Sequence, residues 1–187
     1  MKKYISLLFI PVLAGCLTSS PIPVSHWPVN YVGPNADSRL GHLGIGRVSQ
    51  VVVRAPYNDV GLSVLRENGT IEHDPYNEFA ALPSALLKSV LIDAMAASGK
   101  FKTVVNSSSG SKSSAMVEMM VIELSLDCRQ KNERKATVRL LVRVLQGGDI
   151  VGLEKGEGFA DASDGNYGAA FSRAISDALS TALSRLP

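Results

Sequence analysis

Two stretches decide the fold: Val117-Glu118-Met119-Met120-Val121-Ile122-Glu123-Leu124-Ser125-Leu126-Asp127-Cys128 and Arg134-Lys135-Ala136-Thr137-Val138-Arg139-Leu140-Leu141-Val142-Arg143-Val144-Leu145. In the second, even positions from Ala136 to Val144 are apolar, while Lys135, Thr137, Arg139 and Arg143 stand at odd ones. In the first, Met120, Ile122, Leu124, Leu126 and Cys128 are apolar and even; Glu123, Ser125 and Asp127 are odd. Alternation of this kind marks strands that bury one face and wet the other. Pairing them antiparallel with charges matched sets Glu123 beside Arg139 and Asp127 beside Lys135, with Gln130 to Asn132 at the tip. Each such pair contributes roughly 0.2–1 kcal/mol, enough to select a register. Cys128 then points inward as a small core residue.

Downstream, Gly147-Gly148 reads as a two-residue hairpin turn into a strand from Ile150 to Ala160. That register sets Gly152 and Gly156 opposite Arg143 and Arg139, leaving an uncrowded basic stripe on a solvated face. The last element is a helix capped by Ser163 or Asp164, with an apolar stripe of Tyr167, Ala170, Phe171, Ala174, Ile175, Ala178, Leu179, Ala182, Leu183 and Leu186. Asp161, Ser163, Asp164 and Asn166 lack the spacing of a calcium loop and read as the approach to that helix.

Upstream, the period again changes to that of a helix between Glu78 and Ser98, through Phe79, Leu82, Leu86, Leu87, Val90, Leu91, Ala94 and Met95. Pro83 sets its start and Gly99 its end. Strands are expected at Arg47–Ala55, Leu62–Arg66, Thr70–His73 and Phe101–Val105, with Asn68-Gly69 as a hairpin turn. Val29-Asn30-Tyr31-Val32 reads as a short edge strand, and Trp27, the one tryptophan, either as packed on the domain, the favoured reading, or as seated at the lipid interface. The fold class expected is α+β: a mostly antiparallel sheet of about five to six strands packed by two amphipathic helices, after an extended lipidated linker.

The N-terminus decides location. Lys2 and Lys3 precede an apolar run from Ile5 to Ala14, which is the layout of a secretory signal. The run is too short for a spanning helix, which needs about 20 residues. Leu13-Ala14-Gly15-Cys16 resembles the bacterial lipobox. The resemblance implies cleavage between Gly15 and Cys16, with a diacylglyceryl group on the Cys16 sulfur and a further chain on its nitrogen. The chain divides accordingly into a signal at 1–15, a lipidated tether rich in proline and glycine at 16–44, and one periplasmic domain at 45–187. Leu17, not aspartate, follows Cys16, so the lipoprotein is expected at the periplasmic face of the outer membrane.

Loss of Lys2 and Lys3 leaves 17 basic against 17 acidic residues, a balance that disfavours nucleic acid as partner. With Cys16 acylated, Cys128 has no disulfide partner. His26, His42 and His73 fall in linker or turn sequence without metal spacing. Ser109-Gly110-Ser111-Lys112 matches S-x-x-K formally, but it sits in the serine-rich loop Asn106 to Ser114 without companion motifs. No catalytic, metal or cofactor residue is assigned, and the chain is expected not to be an enzyme. The covalent lipid is the one attached group.

From Val51 to Val105 the chain resembles the ABC-type transport auxiliary lipoproteins. The residues that carry this are Val51-Val52-Val53, Pro56-Tyr57-Asn58-Asp59, Arg66, Phe79-Ala80-Ala81-Leu82-Pro83 and Ala96-Ala97-Ser98-Gly99-Lys100-Phe101. Phe79 stands where that family has tryptophan, the family glutamate is absent, and Val60 replaces a basic residue. The resemblance implies a non-catalytic auxiliary subunit of a lipid transport system, working with an MCE-domain protein and an inner-membrane ABC permease. A homo-oligomer is compatible with it. The alternative is a structural lipoprotein that helps another envelope complex assemble, such as a secretion or lipopolysaccharide machine. Direct lipid carriage between a helix and the sheet is disfavoured, because the core uses both helix stripes.

Overall fold

The computed structural model describes residues 22–35, 41–106 and 109–187. The proposed signal and Cys16 lie outside them. In chain order the elements are β1 (Ser25–Trp27), β2 (Ile45–Val53), β3 (Gly61–Leu65), β4 (Ile71–Phe79), α1 (Pro83–Ala97), β5 (Thr103–Val105), β6 (Ala115–Asp127), β7 (Lys135–Gln146), β8 (Asp149–Asp161) and α2 (Tyr167–Ser184).

The α+β class stands, but the mostly antiparallel sheet of five to six strands does not: the sheet has eight strands and is mixed. Parallel ladders join β1 to β4, β2 to β5, and β6 to both β2 and β3. Antiparallel ladders join β3 to β4, β6 to β7 and β7 to β8. β2 and β3 share one edge of β6, pairing with Ala115–Val121 and with Leu126–Asp127. The segment 54–60 loops out between them. Alternation carries no sign of strand direction, and parallel entry needs only a long connection: α1 lies in those from β2 and β3 to β5 and β6, while β2 and β3 lie in that from β1 to β4.

The predicted β6–β7 register holds at its charged end, where Glu123 faces Arg139 and Asp127 faces Lys135. It then slips: Val121 pairs with Leu140 and Glu118 with Arg143, leaving Ile122 as a bulge. A one-residue slip exchanges the faces. Val117, Met119 and Val121 are therefore buried, while Met120 and Ile122, expected inside, turn to the other face. The even positions of β7 from Ala136 to Val144 are buried throughout.

A second correction concerns β8. The Gly147-Gly148 turn forms, with both glycines at positive φ, but a bulge follows immediately. Gly152 then pairs with Val144 and Gly156 with Leu140, not with the arginines. The glycines face α2 instead: a methyl at Gly156 would collide with the carbonyl of Ala178, and one at Gly158 with that of Ala174. Small residues on both elements let the helix backbone lie unusually close to the strand.

Both helices cover one face of the sheet, α1 over β2 and β5, α2 over β7 and β8. One core joins the layers, with Phe171, Leu87, Leu91, Leu140 and Leu179 fully buried and Phe79 edge-on to Phe171 at 5.1 Å. Pro83 opens α1, and Gly99, at φ 69°, follows its C-cap. The N-cap of α2 is Asn166, whose side chain accepts from the N–H of Ala169, rather than Ser163 or Asp164. Asp161 and Asp164 instead accept the N–H groups of Ser163 and Asn166, which fixes the turn before the helix.

Part of the stretch read as tether lies on the domain. The expected edge strand is at Ser25–Trp27, not Val29–Val32, and it pairs with β4. Trp27 packs edge-on to Tyr167 at 5.8 Å and donates to Asn77, as its packing reading requires. Beyond it, Val29 is buried, and the N–H groups of Asn30 and Val32 donate to Ser172 and Ser176 of α2. Ser172 and Ser176 are one helical turn apart, and a strap of extended backbone presents outward N–H groups at alternate residues, so a serine stripe satisfies it.

Candidate docking face

The helices leave the other sheet face uncovered by helix, and its residues come from β2, β6, β7 and β8. Four charged contacts line it. Arg143 donates through Nε to Glu118 at 2.8 Å, Arg139 meets Glu123 at 3.1 Å and Glu157 at 3.6 Å, and Lys135 lies 4.4 Å over the Phe159 ring. The expected basic stripe is thus neutralised in place: Glu123 faces Arg139 in the predicted register, and the slips bring Glu118 beside Arg143 and Glu157 beside Arg139.

At one end Tyr57, from the segment between β2 and β3, packs against the core. Burial raises its hydroxyl pKa, and the charge of Glu123 adds to this. Ser125 and Thr137, cross-strand partners there, are buried. At the other end the Arg47 guanidinium reaches the carbonyls of Ser109 and Ser111. Within the S-x-x-K stretch, Ser109 Oγ accepts from the Ser111 N–H, and the Ser109 carbonyl holds Arg47.

Between these ends lies a hollow of about 190 Å³ whose apolar lining includes Val52, Met120, Leu141, Ile150 and Leu153, crossed by the Glu118–Arg143 pair. Met116, Ile150 and Leu153 are 46%, 55% and 57% exposed. Two bulges produce the hollow, one turning Met120 outward and the other re-aiming β8. Exposed apolar side chains set around a paired charge suit a protein-docking site. Thioether side chains adapt their shape to a partner.

The remaining sequence candidates are dispersed. His26 lies 3.7 Å from Glu78 on the β1–β4 edge, His42 contacts the Pro187 carbonyl, and His73 the Gly61 carbonyl. Among the described residues no group of three or more His, Cys, Asp or Glu could hold a metal. Cys128 is half-buried just past β6, and burial pushes its thiol pKa up. No described helix is long and apolar enough to cross a membrane. Sequence reasoning missed this apolar hollow. The signal for it was Glu118, an even-numbered charge in β6 that cannot share the core with Met120 and Ile122.

No protein-family model matches the chain, and no curated protein matches it in sequence. Its two-layer α+β fold is similar to that of solved structures. One is a Xanthomonas campestris protein of family DUF330, at 17% identity, covering 83% of this chain and 90% of that one, with a TM-score of 0.67. Another, an uncharacterised protein, gives 10% identity, 83% and 93% coverage, and a TM-score of 0.57. At these identities the likeness is one of fold alone.

Proposed function

We propose that this chain is a lipid-anchored, non-catalytic auxiliary subunit of an MCE/ABC-type lipid transport system, held by acyl chains on Cys16 at the periplasmic face of the outer membrane. In this reading the open sheet face is where its protein partner docks. The observation that carries it is the hollow of Val52, Met120, Leu141, Ile150 and Leu153 on a face whose arginines are already neutralised. Apolar surface of this kind favours a protein partner over a charged ligand. The lipobox-like Leu13-Ala14-Gly15-Cys16 and the ABC-auxiliary-like motifs from Val51 to Val105 support the setting.

Photo-crosslinking in cells tests it, with a benzophenone amino acid at Leu153 and a control at Lys88, which lies on α1. An adduct to an MCE-domain protein at Leu153 and not at Lys88 is the expected result. An adduct to a secretin or an outer-membrane barrel protein would replace the transport reading with an assembly role in another envelope machine.

A further inference from the structure

We infer that the end of the domain carrying Ile22, Val24 and Tyr76 rests in the headgroup region of the bilayer, so that the domain is held in one orientation. The inference rests on lipidation at Cys16. It begins with the strap. Ser25–Trp27 is paired to β4 and the following residues are hydrogen-bonded to α2, so the chain is fixed to the domain from Ser25 onward. Eight residues, 17–24, separate Cys16 from Ser25. Fully extended, that chain reaches about 30 Å. A domain of this size has a radius of gyration of about 15 Å, so the tether is no longer than the domain is wide. The surface beside Ser25 is thereby kept within about 30 Å of the lipid and favoured over the opposite end for contact with it.

What the chain presents there is apolar. Ile22 is 62% exposed, Val24 40% and Tyr76 47%. Ser25 pairs with Asn77, so Val24 lies beside Tyr76 at the same end of the β1–β4 ladder. Tyr76 is held outward: the β3–β4 pairing breaks between Gly61–Glu78 and Ser63–His73, and residues 74–77 bulge out. Pro75 cannot donate to a ladder there, and the Asp74 carboxylate accepts from the Tyr76 N–H and the Asn77 amide. A fixed, exposed tyrosine with aliphatic neighbours suits the interface, where one end of the ring is apolar and the other wet. The carboxylates nearest the patch have partners: Asp74 accepts these two bonds, and Glu78 lies 3.7 Å from His26 Nδ1. Across the sheet, β8 is five strands from β1 in pairing order. At about 4.8 Å per strand, the docking face at Leu153 then stands more than 20 Å further along the sheet from that contact.

The test uses the full acylated protein in phosphatidylcholine vesicles, with Cys128→Ser and an environment-sensitive fluorophore on Val24→Cys or Leu153→Cys. Mass spectrometry of the same preparation reads acylation of Cys16. The Val24 label is expected to shift to the blue and to be quenched by headgroup nitroxide lipid, while the Leu153 label does neither. Tyr76→Glu should keep the protein on the vesicles yet reduce quenching at Val24. Acylated protein whose Val24 label stays in water overturns the orientation alone. Absence of acyl mass on Cys16 overturns the anchor, and the orientation with it.

Discussion

A methyl group added at Gly158 would overlap the Ala174 carbonyl, and that backbone atom cannot rotate away as a side chain can. Overpacking of this kind costs about 1–3 kcal/mol. Gly158→Ala should therefore lower the urea midpoint by that equivalent, whereas Gly110→Ala, with nothing within 4 Å of the added carbon, should leave it almost unchanged. Equal midpoints for the two variants would remove the close helix–strand contact from the account. The same residues show why a pattern of glycines was misread. Gly152 and Gly156 are set against arginines by counting from the turn, and the bulge after that turn leaves no trace in composition. The readable clue was the matching set of small residues in α2, Ala170, Ala174, Ala178 and Ala182, spaced one turn apart.

At the scale of elements, the β6–β7 hairpin carries a pH-dependent clasp. Arg129 Nε and Nη2 donate to the Asp127 carboxylate at 2.7–3.2 Å, which holds its pKa below the usual carboxylate range. A carboxyl depressed in the fold stabilises it fully above the unfolded value of about 3.9. That contribution is lost as pH falls through the folded pKa. Asp127→Asn should thus shrink the loss of stability between pH 7 and pH 3, read as the difference in denaturant midpoints. Asp161, held low by Ser163, keeps its own share, so the acid limb is reduced and not abolished. An unchanged acid limb in Asp127→Asn would show that the clasp is absent in solution. This hairpin was also the most legible part of the fold, because Glu123, Asp127, Lys135 and Arg139 admit one charge-matched register. Legibility ended at Ile122, where Ala115 to Ile122 is apolar at both parities except for Glu118, and one charge was outvoted. Strand direction was not readable at all, since β2 and β3 alternate in the same way whether they meet β6 parallel or antiparallel.

For the whole molecule, the division of labour between the two sheet faces makes opposite demands on apolar residues. Leu140, 1% exposed beneath the helices, belongs to the core, whereas Leu153 and Met116 stand on the open face. Truncating a buried leucine to alanine costs about 2–5 kcal/mol, and surface changes away from special features stay within about 0.5 kcal/mol. Leu140→Ala should therefore lower the melting temperature sharply, while Leu153→Ser with Met116→Ser should leave it nearly in place. Partner retention should follow the reverse order among folded variants. Fully burying one such side chain in an interface is worth about 1.5–3 kcal/mol, so the double surface change should weaken the complex at least about tenfold. Co-purification of the acylated protein from membranes at matched expression measures this. The result against the proposal is a double variant that keeps both its stability and its partner; the apolar hollow would then be incidental to assembly, and the contact would have to be sought on the strap or the helices.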